Sequence, residues 1–162
     1  MSFTVRHDAS EWRIAASREE IDAIRRTLAR LGERLARGEG IFVEGPGPGG
    51  AFAQEPKLED ELAKPLAACV AEQKGRQLEA FERALPPENS RGRTICIPLD
   101  ALDLWLACLN DLRLMLAAEL RIRDGRPTPP VTDARDGRLA NWILFDFLTE
   151  LEVTLVYCLD RL

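Results

Sequence analysis

Two segments in the second half of the chain carry so many large apolar side chains at three- and four-residue steps that only helices packed on each other can bury them. The first runs from about Asp100 to Arg121. At 100° per residue, Trp105, Cys108, Leu109, Leu112, Met115 and Leu116 form a broad apolar face, and Leu106 and Leu114 interrupt the polar side. A helix apolar on most sides belongs at the centre of its domain. The second segment, from about Leu139 to the C-terminus, sets Leu144, Phe147, Leu148, Leu151, Leu155, Cys158 and Leu162 on one side. A further strip, Trp142, Phe145, Val153 and Val156, lies on another, so this helix has two faces to cover, and a second subunit is one candidate for the outer one.

The rest of the chain reads as support for this pair. Phe3 and Val5, then Trp12 and Ile14, alternate around Asp8-Ala9-Ser10, which predicts two short strands and a turn. Ser17 and Glu20 have capping-box spacing, and Ile21, Ile24, Leu28, Leu31 and Leu35 then follow in one seam of a helix ending near Gly38. Ile41-Phe42-Val43 reads as a short strand. Helix resumes at Leu58, with Pro65 opening a fresh helix to Leu85, Gly75 weakening its middle and Pro86-Pro87 ending it. Thr94 to Ile97 reads as a third strand that joins the hairpin. The expected fold is therefore mainly α: one domain over residues 1–162, a bundle of about four helices with a minor antiparallel sheet made by the N-terminal hairpin and a strand near 94–97. Flexible loops are expected near 45–56 and 123–137, where glycine and proline concentrate.

Composition removes several function classes. With 46% hydrophobic and 30% charged residues and a net charge of −5, the chain is ordinary globular material and a poor general polyanion binder. The start of the chain lacks a basic, apolar export signal, and the longest apolar run of the last helix, Trp142 to Phe145, falls far short of the roughly 20 residues a membrane crossing takes. Cys69, Cys96, Cys108 and Cys158 form no Cys-x-x-Cys pair and sit among apolar neighbours, so they read as buried free thiols of a reducing cytoplasm.

Candidate chemistry is sparse. The Gly45–Gly50 run lacks the lysine and Ser/Thr of a phosphate-binding loop. His7 is the sole histidine, which leaves neither a histidine-based zinc site nor the Glu-x-x-His of di-iron bundles. Glu79-x-x-Glu82 and Asp100-x-x-Asp103 resemble the carboxylate pairs of all-helical nucleotide pyrophosphohydrolases, whose second pair normally begins with glutamate. The competing reading is solvated carboxylates, with Asp100 capping a helix. Arg26, Arg30, Arg34 and Arg37 stripe the first helix, but Glu19, Asp22 and Glu33 dilute them, which favours a solvated face over a nucleic-acid surface. Asn110, Asp111 and Arg113 are polar groups on a mostly buried helix and need partners; for Arg113 a carboxylate of the last helix is expected, such as Asp146, which stands between two phenylalanines.

Leu109-Asn110-Asp111-Leu112-Arg113-Leu114-Met115-Leu116 resembles the LNDLRL(V/M)L signature of an uncharacterised, largely actinobacterial domain-of-unknown-function family. Phe145-Asp146-Phe147-Leu148-Thr149 with Leu151, Glu152, Thr154, Leu155 and Val156 is similar to its YDWLTWLQESLV helix. The stretch from Gly45 to Leu85 departs from the family's pattern. Relatives are often labelled transcriptional regulators, and their genes tend to neighbour a protease-adaptor gene. The resemblance brings no catalytic residue. Asn110, Asp111, Arg113, Asp146 and Thr149, which match its signature, are a polar network between two helices or a ligand site.

These observations favour a cytoplasmic, non-catalytic protein-interaction or regulatory module without a cofactor, contacting another protein or a second copy through Trp142, Phe145, Val153 and Val156. The alternatives are a magnesium-dependent pyrophosphohydrolase using Glu79, Glu82, Asp100 and Asp103, and a DNA-binding regulator using the first helix.

Overall fold

A computed structural model describes residues 3–8, 10–38, 56–88, 93–122 and 137–160. Its elements are β1 (Thr4–His7), β2 (Glu11–Ala15), α1 (Arg18–Ala36), α2 (Pro56–Ala84), β3 (Thr94–Pro98), α3 (Leu102–Glu119) and α4 (Gly137–Leu159). The architecture is mainly α with a small antiparallel sheet, as the residue patterns predict. The strand expected at Ile41–Val43 lies outside the described residues. So do the loops expected near 45–56 and 123–137, except that Pro56 opens α2 and Gly137 opens α4.

Asp8 closes the hairpin turn: its Oδ1 accepts from the Ser10 amide (2.8 Å), the Ser10 hydroxyl (2.8 Å) and the Glu11 amide (3.1 Å). Those bonds, that from the Ser10 amide foremost, hold the carboxyl below its ordinary pKa. β2 is central in the order β1-β2-β3, and its register pairs Trp12 with Ile97 and Ile14 with Ile95. Because side chains alternate along a strand, these four share one face, and all are buried there.

The Ser17 capping box forms as its spacing predicts: Glu20 N–H donates to Ser17 Oγ (3.1 Å) and Ser17 N–H to Glu20 Oε2 (2.7 Å). The seam of α1 buries Ile21, Ile24, Leu28 and Leu31, with Leu35 partly covered. Gly38 ends the helix at φ +69°, a left-handed conformation that a side chain disfavours, and donates to the Leu35 carbonyl (3.0 Å).

Pro65 does not open a fresh helix; it lies within α2. Proline removes one amide donor and strains the preceding turn, but Leu62, Ala63, Lys64, Leu66, Ala67 and Ala68 around it have high helix propensity and carry the helix through. Asp100 does not cap α3 either. It falls in a 3-10 turn, Leu99–Ala101, and the residue at the helix start is Ala101, with no side-chain cap.

α3 touches α1, α2, α4 and β3, the central placement its composition calls for. Across α2 and α3 the Phe81 and Trp105 rings stack at 4.5 Å and 5°. The sheet reaches α4 through an edge-on contact of Phe3 with Phe147 at 5.5 Å. Among the described residues no helix is long and apolar enough to cross a membrane.

The four cysteines are unpaired, but only Cys108 is fully buried; Cys96 and Cys158 are partly covered and Cys69 is exposed, on the outer side of α2. Burial pushes the Cys108 thiol up to about 12, with the Asp111 charge adding and Lys74 opposing. An unfolded thiol titrates at about 8.5, so the proton is held only by the folded state between the two values. The Cys108 contribution to stability is complete below that window and lost as pH rises through it, by up to ~1.4 kcal/mol per pH unit. Urea titrations of wild type and Cys108→Ala between pH 8 and 10.5 are expected to show a steeper alkaline loss in wild type. Parallel profiles would place the thiol in water.

Candidate functional site

The polar residues of α3 divide between two neighbours instead of forming one network. Asp111 points toward α2, where its carboxylate forms an ion pair with Lys74; its side chain is 9% exposed and that of Lys74 24%. The pair sits in the wall of a groove of about 740 Å³ between α1, α2 and α3, into which Asn110 also faces. Leu35, Val70, Leu78 and Leu114 supply apolar lining. The groove is open because Gly32, Ala36, Ala71 and Gly75 stand where larger side chains would fill it; a Cβ on Gly75 would meet nothing within 4 Å.

Arg113 points the other way, to α4. Its partners are Glu152, in an ion pair, and Thr149, whose Oγ1 accepts from Nε at 3.1 Å and donates to the Phe145 carbonyl at 2.7 Å. The guanidinium also lies 5.9 Å from the centre of the Phe145 ring. Burial pulls the Arg113 pKa below its ordinary value. Arg113 thus pairs with Glu152, a different carboxylate of α4 from the Asp146 given as the example. Phe145, Thr149 and Glu152 are four and three residues apart and share the face toward α3, whereas Asp146 lies on the outer side and is exposed. That spacing was present in the sequence and would have named Glu152.

The outer side of α4 is apolar and acidic. Ile143, Val153, Val156 and Tyr157 are 40%, 64%, 46% and 54% exposed, while Leu144, Leu148, Leu151 and Leu155 are buried on the opposite side. Trp142, Ile143, Asp146, Phe147 and Glu150 line a cleft of about 420 Å³. Of the four residues expected to form the contact strip, Val153 and Val156 are exposed, Trp142 is half-buried, and Phe145 packs against the core.

The other candidates disperse. Glu79 pairs with Arg83 one turn along α2, and among the described residues no group of three or more His, Cys, Asp or Glu side chains has a metal-holding arrangement, so Glu79, Glu82, Asp100 and Asp103 do not converge on one ion. His7 lies against Trp12 with ring centres 4.6 Å apart. In the arginine stripe of α1, Arg30 donates to Glu119 at 3.1 Å, and Asn141 donates to the same carboxylate oxygen at 3.1 Å. Glu119 thus ties α1, α3 and α4 together.

No curated protein and no solved structure matches the chain. A family model does, and it takes in α2, β3, α3 and the whole of α4, including residues 50–85 of the stretch expected to depart from the family's pattern, while leaving out the hairpin and α1. The match covers residues 50–159, more than half of the chain, which therefore belongs to the family described as Domain of unknown function (DUF2017).

Proposed function

We propose that this protein is a non-catalytic interaction module of the cytoplasm whose contact surface is the outer face of α4. The observation that carries this reading is the division of α4 into two apolar sides. One is spent on the core, and the other leaves Ile143, Val153, Val156 and Tyr157 in solvent on a rigid element. Exposed apolar side chains grouped in this way cost solvation free energy that a partner recovers on binding. Three unpaired partly or fully accessible cysteines, Cys69, Cys96 and Cys158, suit a reducing compartment. Use of α1 as a nucleic-acid surface has less support, because Arg30 is already engaged by Glu119.

A photo-crosslinking amino acid placed at Val153 in the native host tests the reading. The expected outcome is a discrete protein adduct from position 153, and none from position 72 on the exposed side of α2. Absence of adducts from 143, 153 and 157 alike would remove α4 as a contact surface.

A further inference from the structure

The face that α4 turns outward sets an acidic pair between apolar side chains, and that pattern specifies what covers it. Ile143, Asp146, Glu150, Val153 and Tyr157 follow at steps of three, four, three and four, so they form one seam in which two carboxylates one turn apart are flanked by apolar groups. Among the described residues neither Asp146 nor Glu150 has a side-chain hydrogen bond or ion pair. Between them and Trp142 lies the cleft of about 420 Å³. A cation seated there would meet carboxylates on consecutive turns and an indole beside them, while its aliphatic stem lay against Ile143.

We infer that the partner of this seam is a basic amphipathic helix of another protein, presenting Arg or Lys side chains about one turn apart between apolar ones. The inference rests on the reading of α4 as the contact surface and adds the chemistry of its partner. Charge complementarity selects this occupant over a second copy. Within Gly137–Leu159 the only cation is Arg138, so two such seams placed together set carboxylates against carboxylates or against Ile143, Val153 and Tyr157. A carboxylate buried without a cation opposes association, and the net charge of −5 on each copy adds to the repulsion. The same acidic seam repels nucleic-acid phosphates and anionic lipid.

Two measurements test it. Sequencing the segment crosslinked to position 153 is expected to return a helix with Arg or Lys interleaved with apolar residues. A neutral or acidic segment, or a second copy of this chain, would overturn the inference and leave the contact surface standing, whereas no adduct at all would sink both. In the second, a fluorescent helical peptide of leucine, alanine and arginine, with arginines four residues apart, is titrated against the full chain. Asp146→Asn/Glu150→Gln, two near-isosteric changes at exposed positions, is expected to weaken binding about tenfold. The charge-matched Glu72→Gln/Glu79→Gln is expected to leave it unchanged. Equal affinity for wild type and the Asp146/Glu150 variant, or equal loss in both variants, would overturn the assignment of the basic partner to this seam.

Discussion

Trp105→Ala is expected to lower the unfolding free energy by about 3–5 kcal/mol, the range for deleting a large aromatic from a packed core. Trp105 heads the fully buried side chains by volume, on the helix that touches the other three and the sheet. Its loss removes the partner of the Phe81 ring as well as its own buried area, and stacked aromatic pairs contribute beyond area alone. A domain of this size has roughly 5–15 kcal/mol in hand, so the variant remains measurable by urea titration but with a much lower midpoint. Trp105→Phe keeps an aromatic ring against Phe81 and is expected to lose less. The contrast is Trp142→Ala on α4, half-buried, for which roughly 1 kcal/mol or less is expected. Similar losses at the two tryptophans would mean that α3 is not the centre of the fold.

Lys74→Ala is expected to cost about 2–3 kcal/mol, below the 3–5 kcal/mol typical of a fully buried pair because the lysine is itself 24% exposed. The substitution leaves Asp111 in the groove wall with 9% of its side chain exposed and without its cation. Lys74→Met combined with Asp111→Leu should restore much of the loss, because neither charge is then stranded. The cost therefore comes from isolating a carboxylate, not from losing a strong attraction. Chemical denaturation of Lys74→Met, Asp111→Leu and the double variant closes this cycle. Additive losses in the double variant would show that the two side chains do not interact.

Features written into a single segment could be read from the chain alone. The Ser17–Glu20 box and the Ile21–Leu35 seam need only their own helix. The hairpin around Asp8 needs only its own strands, and the paired Trp12–Ile97 and Ile14–Ile95 contacts follow from alternation once β3 joins. What required the fold was which helix face meets which. Nothing within α2 or α3 pairs Lys74 with Asp111, 37 positions apart, and the groove beside them exists because α1 and α2 place small residues together against α3. Arg113 is an intermediate case: a partner carboxylate on α4 is legible in the sequence, but it is the helical period, not the phenylalanines beside Asp146, that puts Glu152 next to Thr149. Pro65 shows the converse, a local breaker overruled by strong helix formers on either side. Cys69 resembles the other cysteines in its apolar neighbours, yet the exposed side of α2 carries it outward.

Whether α4 keeps one face for the core and offers the other to a partner can be read by single-cysteine accessibility along positions 143–157 in a background without the four native thiols. In purified protein, thiols at 143, 150, 153 and 157 should react rapidly and those at 144, 148, 151 and 155 slowly; in cells of the native host the first group should become protected. Fast reaction of the first group in both settings would contradict a partner on α4, and equal reactivity of the two groups in purified protein would contradict the packing itself.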